Sequence, residues 1–430
     1  MRYLEKRTLL GNETSRLPFW IAVLFIGAFP RLAWASPPPI PRSQLARIES
    51  LIQGMDAKLQ VQGLNDLSRL EGNLTKDLIR LLPRVLELGQ SDDDRVTESA
   101  LYVVGQFAWL PEAREKHGRA MIEVIGKALG SKTAGLRTAA LYVMHPGLVD
   151  EQFELAAPLL VSAADDDLER ARVSAVITMG KIQHTNQNIV DALRKALRDP
   201  AMQVRRQAAY SLANLAPKSK AAIPELLQAM RDEHAEVRGG AAHALQKMGD
   251  DAVEGLLAMA DDPEATVRNL VLYALSTGYT GSGTHHERVY ATVERMLDDP
   301  DPTVQASAAI RISIFGTLKA RVAAVPILVK TAADKEVDAY GNAYVGIHRC
   351  IKVFAAGLPD PEKADDAMRG FRQFDRAFLK SYLLEAQRKY KGSEGGNVEP
   401  LFKDAAARGV EAEHRAFASD VLAWLMEQEQ

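Results

Sequence analysis

The chain has 430 residues, of which 47% are hydrophobic, 25% charged and only 6% aromatic, an aliphatic composition that favours helix over strand. Its formal net charge of −3 provides no global basic field of the kind that draws a protein to nucleic acid. A single cysteine, Cys350, excludes an internal disulfide and a cysteine-rich metal site, so stability must come from packing.

In chain order, residues 1–35 read as a secretory signal peptide. Arg2, Lys6, Arg7 and Arg16 precede an apolar run over 19–29, Pro30 breaks it, and Ala33-Trp34-Ala35 supplies the small side chains signal peptidase needs, with the cut after Ala35. The competing reading keeps residues 17–35 as an uncleaved inner-membrane anchor, although the run is shorter than the roughly 20 apolar residues a span requires. Cleavage removes five basic and two acidic residues and moves the net charge from −3 to −6. Residues 36–50, opening Ser36-Pro37-Pro38-Pro39-Ile40-Pro41, then form a stiff proline-rich spacer and the start of the first helix. An exported protein, in the periplasm of a Gram-negative bacterium, is the expectation.

From residue 51 to about 350 one pattern recurs. Its anchors are Leu59, Val96, Leu136, Ala171, Val204, Val237, Val267, Val304 and, faintly, Val337, spaced 30 to 40 residues apart. A small or apolar residue follows each anchor by four positions and an apolar one by eight, as in Ala208 and Leu212 or Ala308 and Ile312. These three positions lie within about 80° on a helical wheel and predict one buried stripe per helix. Asp-Pro before the anchor, as in Asp199-Pro200 and Asp262-Pro263, is expected to start that helix, with Pro in its first turn and Asp at its positive end. An amphipathic segment upstream of each start completes a helical hairpin that can bury its apolar faces only by stacking on its neighbours. After residue 351 the pattern fades into a divergent helical C-terminal cap over 351–430, or a separate binding module.

The pattern Asp-Pro-x-x-x-Val-Arg-x-x-Ala-Ala-x-x-Leu resembles HEAT repeats, specifically the short bacterial HEAT-like repeats of the phycobilin-lyase type. The resemblance implies an all-α, right-handed α-solenoid, a superhelix of antiparallel helix pairs with about eight to nine units. HEAT arrays are similar in using acid–base pairs as a ladder between consecutive repeats, and here an acid stands six residues before a base in Asp166/Arg172, Asp199/Arg205, Asp232/Arg238 and Asp262/Arg268. Ser131/Arg137 and Asp299/Gln305 each lack one partner.

No catalytic or metal constellation stands out, and no cofactor is expected. Nine histidines show no tight ligand spacing, and of the four His-Glu pairs that hold two irons in the HEAT-like deoxyhypusine hydroxylases only His286-Glu287 is present, in an insertion over 277–288. At anchor +6 stand Tyr102, Tyr142, Ile177, Tyr210, His243 and Tyr273, about 240° from the anchor and facing away from the buried stripe, with Arg206 beside them at +2. In HEAT arrays that face lines the concave surface, where Tyr offers a large rigid contact and a hydroxyl; Tyr there also packs between adjacent helices. The expected function is a non-enzymatic scaffold or adaptor that binds a protein or peptide partner along this face, without nucleic acid and without membrane contact beyond the N-terminal segment. The alternatives are a lyase-like HEAT enzyme or maturation factor acting on a partner protein, and a purely structural envelope protein.

Overall fold

The computed structural model describes residues 40–70, 76–277, 285–333, 340–390 and 397–426. The expected signal segment, the expected anchor Val337 and residues 278–284 of the insertion lie outside them. Among the described residues there are 23 α-helices, three short 3-10 turns and no strand.

The first units are α1 (Arg42–Gln53) with α2 (Ala57–Ser68), α3 (Leu82–Leu88) with α4 (Asp94–Phe107), and α5 (Pro111–Leu129) with α6 (Ala134–Tyr142). Next come α7 (Pro146–Glu151) and α8 (Phe153–Ala163) with α9 (Glu169–Met179), then α10 (Gln187–Ala196) with α11 (Met202–Asn214) and α12 (Ile223–Ala229) with α13 (Ala235–Met248). They continue as α14 (Asp250–Ala258) with α15 (Ala265–Thr277), α16 (His286–Arg295) with α17 (Pro302–Phe315), and α18 (Leu318–Ala333) with α19 (Tyr340–Gly357). The chain closes with α20 (Ala364–Phe371), α21 (Arg376–Tyr390), α22 (Glu399–Arg408) and α23 (Ala412–Met426).

Each pair buries its stripe between itself and its neighbours, so the core runs as one continuous apolar cluster from Ile48 to Leu425. Val96, Leu136, Ala171, Val204, Val237, Val267 and Val304 are buried, as are their +4 and +8 partners. Two anchors depart from this. Leu59 is 44% exposed, and Gln60 beside it is buried instead and donates to the Gly54 carbonyl, so the buried stripe of α2 starts one residue later than the pattern predicts. In α19 the buried stripe is Ala343, Ile347, Ile351 and Phe354, with Val345 only half-buried, which puts that unit two residues out of the expected register.

The starts of the second helices also differ from expectation. Asp166, Asp199, Asp232, Asp262 and Asp299 accept from the backbone N–H two residues on, at Leu168, Ala201, His234, Glu264 and Asp301, and so close a turn ahead of the helix. Pro200 and Pro263 therefore sit outside their helices, and only Pro302 occupies a first helical position.

The second helices pack against one another along the array more closely than the first helices do, which places them on the inside of the curve. Small residues make that approach feasible. A Cβ added at Gly105 of α4 would stand 2.7 Å from the Val143 Cβ, and one at Gly180, just past α9, would stand 2.7 Å from the Ser211 Cα on α11. Cys350 is buried in α19, and burial pushes its thiol up to about 12, which leaves it protonated and unreactive.

Candidate functional site

Two rows of chemistry run along the second helices, and they behave in opposite ways. The first is the ladder at the turn side. The Arg172 Nε and Nη2 donate to the two Asp199 carboxylate oxygens at 2.7 and 2.9 Å, while Nη1 donates to the Asp166 carbonyl at 3.0 Å. Arg205 repeats this with Asp232 at 2.7 and 3.1 Å and with the Asp199 carbonyl, and Arg268 with Asp299 at 2.8 and 2.7 Å and with the Asp262 carbonyl. The acid six residues upstream thus gives its arginine a backbone carbonyl, and its carboxylate goes to the arginine of the preceding repeat. That exchange explains the two incomplete pairs in the sequence: Arg137 takes the Asp166 carboxylate, and Asp299 serves Arg268.

One rung is re-routed. Arg238 donates to the Asp232 and Glu233 carbonyls but not to Asp262, whose carboxylate is taken by Arg231 from the end of α12 at 2.7 Å. In the four regular rungs the arginine side chains are 10–13% exposed and the aspartates 6–11%, so these pairs are nearly dry. Burial pushes the Asp232 and Asp299 carboxyls up, and the facing guanidinium and turn N–H more than reverse it, holding both below the usual carboxylate range. Arg415 of α23 donates to the Gly409 and Val410 carbonyls at 2.6 and 3.2 Å, the same fork in a unit whose sequence hides it.

The second row is the inner face. Tyr142 is 58% and Tyr210 40% exposed, and Tyr102, Ile177, His243 and Tyr273 are half-buried. The rings meet across repeats: Tyr102 and Tyr142 stand 6.4 Å apart edge to face, and Tyr210 and His243 are 6.3 Å apart and tilted. Ile177 interrupts the aromatic row on α9, so the structure groups two pairs and leaves Tyr273 on α15 beyond them. Burial, with Glu98 nearby, pushes the Tyr102 phenol up, so it stays a neutral hydroxyl.

Arg206 lies half-buried in this row, and its Nε is sealed from water without a hydrogen-bond partner. Arg311, which the sequence pattern did not single out, has the same character: it projects from the seam between α15 and α17, its Nε is buried without a partner, and burial pulls it below the ordinary guanidinium value, with Tyr273 beside it opposing. Its position at anchor +7 faces the seam rather than the +2 and +6 rows, so scanning those rows could not find it. Between these two, α13 carries Gly239 and Gly240. Gly240 is confined, since a Cβ there would meet the Ala209 Cβ at 3.2 Å, but nothing lies within 4 Å of a Cβ at Gly239, and the helix backbone is bare there.

No group of three or more His, Cys, Asp or Glu side chains gathers as for a metal ion among the described residues. His285 and His286 stand at the start of α16 rather than in a loop, and His285 pairs with Glu254 at 3.1 Å. A depression of about 540 Å³ opens on the turn side between α8, α10 and α12, but its cations are occupied, Arg194 by Glu225 at 2.8 Å and Lys195 by Asp165 at 2.7 Å. No described helix is long and apolar enough to cross a membrane.

A stack of helix pairs with its tightly packed layer inside, tied by an arginine ladder of which one rung is re-routed, defines an all-α solenoid. Residues 190–276 match the family model described as HEAT repeats. Among solved structures the chain is similar to a mutant of Kap121p (TM-score 0.59, 15% identity, covering 92% of this chain and 44% of that one) and to importin beta (TM-score 0.52, 14% identity, 90% and 58%). The chain therefore spans about half the length of these solenoids, and the likeness is one of fold. No curated protein matches it.

Proposed function

We propose that the protein is a scaffold or adaptor that holds a protein or peptide partner along the inner face of the solenoid, acting by binding rather than by catalysis. The observation that carries this reading is the inner row itself: large amphipathic rings stay exposed at Tyr142 and Tyr210 on the face where the array is otherwise most tightly packed. Beyond their contacts to Tyr102 and His243 much of their area stays in solvent, whereas in an interface such rings bury that area at little entropic cost. Export by the N-terminal segment and kinship with the phycobilin-lyase type of repeat are part of the same proposal, the first resting on Ala33-Trp34-Ala35 after an apolar run and the second on the Asp-Pro-x-x-x-Val-Arg pattern.

Replacing Tyr142, Tyr210 and Tyr273 together with Ala tests it. The variant is expected to keep its helical circular dichroism and to lose the partners that the wild-type protein captures from the cells that make it, identified by mass spectrometry. Capture unchanged by the triple substitution would sink the reading.

A further inference from the structure

Between α9 and α17 the cations differ by layer. On the outer side and the turns most of them pair with acids across repeats, as Lys195 with Asp165, Arg194 with Glu225, Lys220 with Asp251, Arg288 with Glu254 and Arg295 with Asp261. On the inner face from α9 to α13 stand Arg170, Arg206 and Lys247, with Lys181 in the turn just past α9, and Arg311 adjoins this face from the α15–α17 seam beside Tyr273; none of the five has an ion pair among the described residues. The same sector of those helices holds a single acid, Glu236. A chain with a net charge of −3 has thus concentrated unpaired positive charge along one stripe, beside its exposed rings. At two of the five, Arg206 and Arg311, the Nε is buried without a hydrogen-bond acceptor, a state that costs stability unless a ligand supplies one.

Resting on the reading that this face takes a polypeptide, we propose that its partner is an acidic, extended segment with a carboxylate at about every third residue. Neighbouring helices lie about 8–10 Å apart, and a polyproline II chain, three residues per turn at about 3.1 Å each, brings every third side chain back to the same face about 9 Å along. Its carboxylates then recur at the spacing of the helices and meet the two cations of α9 and its end and the single cations of α11, α13 and α17, α15 carrying none of the five, while prolines or small apolar residues between them lie against Tyr142, Tyr210 and Tyr273. The bare backbone at Gly239 leaves room for the chain to come close. A nucleic acid fits less well. The ring pairs meet edge to face or tilted instead of offering parallel open faces, and five cations spread over five helices are sparse for a phosphate backbone.

The test is fluorescence anisotropy with the full-length protein and a labelled peptide of four Glu-Pro-Pro triplets, set against Gln-Pro-Pro and Lys-Pro-Pro versions and an oligothymidine strand. The acidic peptide is expected to bind about tenfold or more tightly than the other peptides, to weaken with added salt, and to lose about tenfold in R206Q/R311Q. Because those two arginines are partly buried, R170Q/K181Q/K247Q, all at exposed positions, is measured in parallel and is expected to weaken binding without moving the thermal melt. A Gln peptide that binds as well as the Glu peptide, or a Glu peptide unaffected by either variant, overturns the acidic partner while the tyrosine triple variant still reports on the groove. Tighter binding of the oligothymidine than of the Glu peptide overturns it in favour of nucleic acid. Failure of the Glu peptide to bind while the tyrosine variant abolishes native capture overturns the charge inference alone.

Discussion

Arg205 does two things at once: it ties the turn ahead of its own helix through the Asp199 carbonyl and grips the Asp232 carboxylate of the next repeat with both remaining arms. Because both partners are nearly dry, Arg205→Ala leaves Asp232 buried without its cation, and we expect a loss of about 3 kcal/mol in urea unfolding. Arg205→Lys should lose most of the same amount, since an ammonium cannot fork to a carboxylate and a carbonyl together. The residues of this ladder were legible in the sequence because their spacing repeats, but their partners were not. The carboxylate bond crosses 27 residues to the next unit, and nothing in a six-residue spacing says so. Gly239 carries the opposite expectation. It sits inside a helix with open space where a Cβ would be, so Gly239→Ala should raise stability by about 0.5–1 kcal/mol, read as a higher melting temperature.

At the scale of elements, the inner helices depend on small residues where they touch. A Cβ at Gly180 would press on the backbone of Ser211, whose hydroxyl donates to the Val176 carbonyl, so neither helix can yield without disturbing that bond. Gly180→Ala should therefore cost about 1–3 kcal/mol in the same unfolding measurement, despite being the mildest substitution chemically. The helix pairs themselves were legible because an apolar stripe at anchor, +4 and +8 needs only the 3.6-residue period. It failed where the chemistry of the anchor changed. Gln60 satisfies its amide on the Gly54 carbonyl and so replaces Leu59 in the core, and His414 is buried in α23 at the place where other units carry Val. With Gly409 standing for the usual Asp, that last hairpin keeps the arginine fork and little of the pattern.

Across the whole molecule, the ladder links α6 through α17 into one electrostatic unit, and this makes stability depend on pH in a definite direction. The Asp232 and Asp299 carboxyls are lower in the folded protein than the about 3.9 of an unfolded aspartate, so their contribution is complete above that value and is lost as pH falls through their folded values. Acid unfolding followed by circular dichroism should therefore steepen below about pH 4, and Asp232→Asn, less stable at neutral pH, should show a flatter dependence. The solenoid was legible as a class, whereas its inner charge was not, because unpaired and paired cations look alike until the repeats are stacked. The re-routed rung has a further mechanical meaning. If the stack is regarded as a spring, four of its joints are clamped by forks shielded from water, but the joint between α13 and α15 is held by Arg231, whose side chain is 53% exposed. A bond that water can replace yields first, so within α6–α17 bending under the pull of a partner concentrates there, and this stretch flexes as two stiff arcs about one compliant joint.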